Sequence, residues 1–327
     1  MPHDPISAVQ TMLAEGRTHE AITLIDDMAS RGDVEALFQQ AIWFLTGSPL
    51  RRNLPQARIV LRKAVERGHV EARLIEIALT ANGSGAVADW HGAIRLLRSA
   101  AAQGDRYAIH LEQLIAAMPL TKQGAPEKRP ECTPLTPDHS VLRVAKLLTD
   151  DECMHIVRSA ADLLQPATVA DPRTGRLMPH PVRTSDAAVL SPVREDIVLR
   201  AINVRLAASS GTDVRQGEAL TVLRYLPGQQ FRLHSDVLPN VRNQRMMTIL
   251  IYLNDDFKGG ETTFPDHRLT ISPKQGDAVI FKNLDAAGRP LTHARHAGEP
   301  VVQGTKWLAT RWIRARPFDV WTGPEAA

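Results

Sequence analysis

The sequence predicts a two-domain α + β protein, in which an α-solenoid of helix pairs precedes a β-sandwich or jelly-roll with supporting helices. Three observations predict this: a motif that recurs every 36 residues, a cluster of prolines near residue 130, and short apolar runs separated by turn residues. A repeat period in the thirties is typical of helical solenoids, and many short strands are typical of sandwiches and jelly-rolls. A chain of 327 residues is long enough for both domains.

The repeats occupy residues 1–118, which read as helices almost throughout. RGDVEA at 31–36 is followed by RGHVEA at 67–72 and QGDRYA at 103–108, so a glycine recurs where a helix should end. Three alanines keep the same interval, and their small side chains let paired helices approach closely: Ala21, Ala57 and Ala93. The run KAVERG at 63–68 resembles the Sel-one-like branch of the tetratricopeptide repeats. A coiled coil is the alternative, but the glycines interrupt any heptad.

A linker and a second domain follow the repeats. Five prolines among charged residues predict a linker over residues 119–138, and the second domain covers 139–327. Helices are expected at 150–164 and 193–209. Six later apolar runs are expected to form strands: ALTVLRYL, MMTILIYL, ETTF, LTIS, DAVIFK and KWLATRWIRA.

Composition limits the function classes. The net charge of +3 is small and no basic stripe is interleaved with aromatic residues, so no nucleic-acid partner is expected. No run of about eighteen apolar residues occurs, so no membrane span is expected. MPHDPISAVQ lacks the basic and apolar segments of a secretory signal, and Cys132 and Cys153 have no metal-type spacing. We therefore expect a cytoplasmic protein with two free thiols.

The segment YLPGQQFRLHSD at 225–236 contains the first candidate metal ligands. If it continues as a strand, residues two apart project to one face, so His234 and Asp236 would point at one place. Joined by a histidine from a late strand, they would form the two-His-one-carboxylate site of non-haem Fe(II) oxygenases. A surface His–Asp pair is the alternative.

A third ligand and a buried cation are expected in THARHAGEPVVQGTKWLATRW at 292–312. His293 and His296 both qualify as the ligand by position. Strand alternation places Lys306 on the same face as Trp312. If that face lines the barrel, Lys306 is a buried cation that needs an anion, such as a dicarboxylate whose other end chelates iron. A lysine that reaches solvent at the strand edge is the alternative.

The segment from residue 140 to residue 316 resembles the catalytic domain of the prolyl 4-hydroxylases. The matching motifs follow the family's order: RTS at 183–185, GEALTVLRYLPGQQF at 217–231, HSD at 234–236, RMMTILIYLND at 245–255, GGETTFP at 259–265, PKQGDAVIF at 273–281 and HAGEPVVQGTKWLATRW at 296–312. The resemblance implies a double-stranded β-helix, the jelly-roll, as the fold of this domain.

The resemblance also implies roles for individual residues. The iron ligands of the family are matched by His234, Asp236 and His296. His296 stands ten residues before Lys306, as in the family, and His293 is then a loop neighbour. The positions that bind the distal carboxylate of 2-oxoglutarate are matched by Lys306, Tyr225 and Thr262. The positions that line the substrate groove are matched by Arg245, Trp312, Arg183, Ser185 and Glu218. The structural alternatives are a core position for Trp312 and an ion pair between Glu218 and Arg183.

The implied activity is hydroxylation of a peptidyl proline by O₂, dependent on Fe(II) and 2-oxoglutarate, with decarboxylation to succinate and with ascorbate as a candidate reductant. The carboxylate at Asp236, where related halogenases have a small residue, implies hydroxylation, and a lysine at position 306 favours prolyl 4-hydroxylation. The helical repeats are expected to recruit a polypeptide substrate. Val237 and Lys282 replace aromatic residues of the family and leave the substrate open. An oxygenase of a free amino acid or another small molecule, or a non-catalytic protein-binding scaffold, is the alternative.

Overall fold

The computed structural model describes residues 5–170, 177–179, 182–272 and 274–322. The chain divides into two compact units, one of residues 1–124 with 193–201 and one of residues 125–192 with 202–327. Pro273, in the motif PKQGDAVIF, lies outside the described residues, as do residues 1–4 and 323–327. None of the described helices is long and apolar enough to span a bilayer.

The first unit consists of helices in which each packs against the next in sequence. Those described are α1 (Pro5–Ala14), α2 (Thr18–Ser30), α3 (Val34–Thr46), α4 (Leu54–Glu66), α5 (Val70–Asn82), α6 (Trp90–Ala102) and α7 (Arg106–Ala117). The predicted helical N-terminal region is confirmed. Its assignment to the tetratricopeptide class stays a prediction.

The repeated residues account for the helix boundaries and the packing of this unit. Asp33 and Asp105 follow two of the repeated glycines, and each accepts a hydrogen bond from a backbone amide in the first turn of the next helix. Such caps satisfy amides that have no partner within the helix. The three repeated alanines are fully buried, as close helix packing requires: Ala21, Ala57 and Ala93.

The second unit is rich in short strands. In chain order they are β1 (Thr133–Pro134), β2 (Val141–Val144), β3 (Gln165–Pro166), β4 (Thr168–Ala170), β5 (Leu177–Pro179), β6 (Asp186–Leu190), β7 (Leu220–Tyr225), β8 (Phe231–His234), β9 (Arg245–Tyr252), β10 (Lys258–Gly259), β11 (Thr262–Phe264), β12 (Leu269–Ile271), β13 (Ala278–Lys282), β14 (His296–Gly298), β15 (Val301–Gln303) and β16 (Lys306–Arg314). The six strands expected from the apolar runs are all present, as β7, β9, β11, β12, β13 and β16.

Two sheets of antiparallel strands form the jelly-roll. The larger has the order β1-β2-β13-β9-β16-β7-β6-β3, and the smaller has the order β12-β11-β14-β8. One buried apolar cluster draws side chains from both sheets: Val141, Leu223, Tyr225, Leu250, Tyr252, Phe264, Ile271, Val279, Phe281, Val301 and Leu308. Burial of these inward faces is the main force that holds the sheets together. The predicted jelly-roll is confirmed.

Two more helices lie between these strands in the sequence, α8 (Asp150–Ala160) and α9 (Ile197–Ser210). The helix expected at 150–164 continues past α8 as a 3₁₀ turn that ends at Leu163. The expected start of the other helix at residue 193 is wrong, because Asp196 accepts hydrogen bonds from two backbone amides of the first turn and caps α9 there.

Candidate active site

The smaller sheet brings the three predicted metal ligands together. His234 on β8 and His296 on β14 are partners in the strand register. β8 ends at His234, so the expectation that the strand continues through Asp236 is wrong, yet the loop beyond it returns the carboxylate to the same place. His234 Nε2 lies 3.6 Å from Asp236 Oδ1, and His296 Nε2 lies 3.9 Å from Asp236 Oδ2. We call these three residues the ligand cluster.

Both imidazoles are oriented with Nε2 towards the cluster. His234 Nδ1 lies 2.8 Å from the carbonyl of Arg232, and His296 Nδ1 lies 3.1 Å from the carbonyl of Ala294. When Nδ1 donates its proton to a carbonyl, Nε2 carries the lone pair that binds a metal. Burial lowers the pKa of His296 to about 4, so this ring is neutral at pH 7. The Nε2 atom of His234 is buried and has no hydrogen-bond partner among the described residues.

Two residues that the sequence analysis missed hold the carboxylate of the cluster. Thr248 on β9 donates a hydrogen bond of 2.6 Å to Asp236 Oδ2, and Asn283 donates to the Thr248 hydroxyl at 2.9 Å. Burial raises the pKa of Asp236, but the neighbouring imidazoles of His234 and His296 outweigh this effect and hold the pKa below its ordinary value. Thr248 could have been noticed as the one polar residue inside the apolar run MMTILIYL.

Two imidazoles and one carboxylate fit a ferrous ion. One ligand atom of each residue lies within 4.8 Å of the other two. This donor set is that of the non-haem iron oxygenases, which leave the remaining coordination positions to substrates. The buried, unpartnered Nε2 of His234 is the observation that favours a metal over a simple His–Asp ion pair.

Replacing Thr248 by valine should weaken iron binding while leaving the fold intact. Valine has the same shape, but Asp236 loses its donor and the Asn283 amide loses its acceptor. Loss of such a supporting contact lowers metal affinity by roughly 10- to 100-fold. Anaerobic equilibrium dialysis with Fe(II) measures the change. Thr221→Val is the matched control, because Thr221 is a buried threonine of the same sheet whose hydroxyl donates to the carbonyl of Ala219 and not to the ligand cluster; equal affinity in the two variants would contradict the role of Thr248.

The larger sheet places a buried ammonium group at the same cavity. Lys306 on β16 is 2% exposed and pairs in register with Tyr225 on β7. Its Nζ donates a hydrogen bond of 2.7 Å to the carbonyl of Gly260, and within the described part of the chain it forms no ion pair with a carboxylate. Gly260 has a φ of +69°, and a Cβ there would lie 3.1 Å from Lys306 Cδ, so glycine is needed at this contact. Burial lowers the pKa of Lys306 to about 8, which leaves it charged at neutral pH.

One cavity joins the ligand cluster to Lys306. Tyr225 and Thr262 line it as predicted, together with the alternating residues Lys306, Leu308, Thr310 and Trp312 of β16. Burial raises the pKa of Tyr225 to about 12, so its hydroxyl stays protonated. Tyr252, which the sequence analysis missed, donates a hydrogen bond of 2.8 Å to the Thr262 hydroxyl and leaves the Thr262 proton for another acceptor.

Three of the predicted groove residues meet at one edge of this cavity. The guanidinium carbon of Arg245 lies 3.9 Å from the centroid of the Trp312 ring. Arg245 also forms a two-pronged ion pair with Glu218, at 2.7 and 2.9 Å. The alternative pairing of Glu218 with Arg183 is wrong, since the second partner of Glu218 is Arg314, at 2.6 Å. Trp312 is half-buried and lines the cavity, so the alternative of a core position is also wrong.

The other predicted groove residues lie nearby, on the segment that precedes β6. Arg183 pairs with Phe231 through an isolated antiparallel β-bridge, and its guanidinium carbon lies 5.7 Å from the centroid of the Phe231 ring. Phe231 in turn stacks on His234, with ring centroids 3.5 Å apart. Ser185 is completely buried, close to the Tyr225 phenol. His293, the other histidine considered as a ligand, is not part of the ligand cluster and belongs to a separate group of side chains.

Comparison with known proteins agrees with this geometry. Residues 220–314, which include the ligand cluster and Lys306, match the 2OG-Fe(II) oxygenase superfamily. Prolyl 4-hydroxylase 1 of Arabidopsis thaliana is 33% identical over 207 residues, which cover 58% of this chain and 72% of that protein. "Probable prolyl 4-hydroxylase 7" of the same plant is 34% identical over 195 residues, which cover 53% of this chain but only 61% of that protein. The viral collagen prolyl hydroxylase of Paramecium Bursaria Chlorella virus-1, solved with 2OG, is 28% identical with a TM-score of 0.45, over 54% of this chain and 97% of that one.

Proposed function

This chain belongs to the prolyl 4-hydroxylase-like 2OG-Fe(II) oxygenases, and from that premise we propose that it 4-hydroxylates a proline within a polypeptide and couples this to decarboxylation of 2-oxoglutarate to succinate. The observation that carries the proposal is the buried, unpaired ammonium of Lys306 in the same cavity as the ligand cluster. A buried cation is unfavourable without an anion, and a dicarboxylate that also reaches a metal satisfies both ends of the cavity.

Different residues of the site would bind the metal and the co-substrate. His234, Asp236 and His296 would hold Fe(II), which supplies the activation of O₂ for attack on an unactivated C–H bond. Lys306 would bind the distal carboxylate of 2-oxoglutarate through a charge-assisted hydrogen bond. Tyr225 and Thr262 would donate neutral hydrogen bonds to the same group, since burial keeps the phenol protonated and Tyr252 occupies the Thr262 oxygen.

The edge formed by Arg245, Glu218 and Trp312 would receive the peptide. Glu218 fixes the Arg245 guanidinium from one side, and the Trp312 ring lies against its face. A guanidinium held in this way loses little conformational freedom when a peptide binds, and it can donate its remaining N–H groups to a peptide carbonyl. Arg183 and Ser185 would contribute to the same groove. Val237 and Lys282 replace aromatic residues of the family, so these two residues leave the identity of the peptide open.

The helical repeats would bring a protein substrate to the catalytic unit. Stacked helix pairs commonly present extended surfaces that bind peptides or proteins. Exposed apolar side chains of the described helices, such as Ile59 (51% exposed) and Val70 (54% exposed), support a surface of this kind. We further propose a cytoplasmic location, because both cysteines are free thiols. We also propose ascorbate as the reductant that keeps the iron ferrous.

Incubation of the full chain with Fe(II), 2-oxoglutarate and proline-containing peptides should give a peptide heavier by one oxygen atom. Mass spectrometry locates the hydroxyl on proline, and nuclear magnetic resonance assigns it to C4. Succinate and hydroxyproline should form in equal amounts, because the substrate and the co-substrate share one cavity. Succinate that forms with free amino acids but never with a peptide would favour the small-molecule oxygenase.

If the repeats recruit substrate, a proline in a whole protein should show a lower KM than the same proline in a short peptide; equal values would argue against recruitment.

A further inference from the structure

A second group of metal-binding side chains lies outside the ligand cluster. Asp138 lies in the loop between β1 and β2, His267 in the 3₁₀ turn after β11, and His293 in the turn of residues 292–294 before β14. Each offers one ligand atom, and the three atoms lie within 4.8 Å of one another. None of them has a part in the proposed hydroxylation. We call these residues the outer cluster.

Ser140 orients two members of the outer cluster. Its backbone amide and its hydroxyl donate hydrogen bonds of 3.1 and 2.8 Å to Asp138 Oδ1. The other carboxylate oxygen, Oδ2, is left to face His293 Nε2 at 3.4 Å. The same Ser140 hydroxyl lies 3.1 Å from His267 Nε2. Supporting contacts of this kind, which fix the direction of a carboxylate and an imidazole, are typical of metal sites.

His293 provides the observation that points to a bound ion. Its Nε2 atom is shielded from solvent, and within the part of the chain that the structure describes it faces Asp138 Oδ2 at 3.4 Å without the geometry of a hydrogen bond. The His267 and His293 rings meet edge to face, with centroids 4.8 Å apart, so both imidazoles point into one small space. A shielded ring nitrogen that makes no hydrogen bond is unfavourable, and a metal ion between the two rings and the carboxylate would satisfy it.

We propose that Asp138, His267 and His293 bind a zinc ion, with a water molecule as the fourth ligand. Zinc accepts imidazole and carboxylate ligands at roughly 2.0–2.2 Å in a tetrahedron, which separates the ligand atoms by roughly 3.3–3.6 Å. The His293–Asp138 distance of 3.4 Å already has this value. Calcium and magnesium prefer sites made of oxygen alone, and Zn²⁺ binds such nitrogen ligands more tightly than Fe²⁺.

Zinc at the outer cluster would also position a ligand of the iron site. His293 lies in the turn 292–294, and the carbonyl of Ala294 in that turn orients His296 through its Nδ1 atom, at 3.1 Å. The ion joins three segments that are distant in sequence, so it removes conformational freedom from the turn that leads into β14. The outer cluster therefore acts through structure, and no reaction is assigned to it.

The zinc content of the full, untagged chain tests this site without any activity measurement. Protein stripped by a chelator, incubated with Zn²⁺ and dialysed should retain two zinc ions per chain, one at each cluster. His293→Ala and the near-isosteric Asp138→Asn should each retain one. The matched control is His139→Asn, which removes a histidine beside Asp138 that is not in the outer cluster; asparagine tolerates its φ of 55°. This control should retain two.

Cobalt provides a second measurement, because tetrahedral Co²⁺ absorbs visible light far more strongly than octahedral Co²⁺. The intense band should appear in the wild type and in His139→Asn, and it should be absent from His293→Ala. A wild type that binds one zinc, all of which survives in His293→Ala, would show the outer cluster to be a plain ion pair. That result would leave the proposed oxygenase activity untouched, since the activity depends on the ligand cluster.

Discussion

Replacing His234 by alanine is expected to abolish iron binding and hydroxylation together, with turnover reduced on the order of a thousandfold or more. The substitution leaves one imidazole and one carboxylate, too few ligands to retain a ferrous ion. Asp236 also loses a neighbouring imidazole that helps to hold its pKa below the ordinary value. Iron per chain after anaerobic loading and desalting, together with the rate of succinate formation, measures both effects.

His91→Ala is the matched control for this experiment, because His91 is an exposed histidine on helix α6 of the other unit. It should keep its iron and its rate. Circular dichroism should show the same secondary structure in both variants, since His234 ends a strand whose backbone pairing with β14 does not need the imidazole. A His234→Ala protein that still binds one iron and forms succinate would remove His234 from the ligand set.

Local patterns in the sequence were sufficient to predict six of the described strands and the inner face of β16. Strand side chains alternate strictly, so one buried residue of KWLATRW places the others, and Lys306, Leu308, Thr310 and Trp312 all line the cavity. His234 and Asp236 are two residues apart, and a short turn in the chain is enough to bring them together. Their partner His296 needed the family resemblance, because position alone allowed His293 as well.

Contacts between distant segments could not be predicted in the same way. Thr248, Asn283 and Tyr252 support the site from strands or strand ends that meet it only through the order of the sheets. The partner of Glu218 depends on β9 lying beside β16, which places Arg245 rather than Arg183 within reach. The outer cluster combines three loops spread over more than half of the second domain. No single stretch of sequence contains two of its members.

Replacing Lys306 by methionine should raise the Kd for 2-oxoglutarate by roughly 100- to 4,000-fold. Methionine fills similar space but leaves the distal carboxylate buried without a cation, and breaking a buried pair costs roughly 3–5 kcal/mol, with about 1.4 kcal/mol for each factor of ten. Calorimetry with anaerobic, Fe(II)-loaded protein measures the Kd. The control is Lys282→Met, because Lys282 is an exposed lysine at the end of β13. This variant should bind 2-oxoglutarate as tightly as the wild type does. Unchanged affinity in Lys306→Met would place the co-substrate elsewhere.

The same lysine predicts opposite effects of pH on the free and the liganded protein. Burial lowers the pKa of Lys306 to about 8 in the folded chain, whereas an unfolded lysine titrates at roughly 10.4. Between these values the unfolded state binds more protons at this lysine, so the free energy of unfolding of the protein without 2-oxoglutarate should rise from pH 8 to pH 10 relative to that of Lys306→Met. The comparison with Lys306→Met removes the opposite contribution of the buried Cys153 thiol, whose pKa burial raises to about 12. Affinity for 2-oxoglutarate should fall over the same range, because the ammonium that it needs loses its charge.

Lys306→Met should lose both trends. Without the co-substrate at pH 7, this variant should also unfold at a higher temperature than the wild type, since it no longer buries an unpaired charge. The cavity is thus expected to sacrifice stability in the free protein for affinity in the complex, and denaturation scans with and without 2-oxoglutarate separate the two.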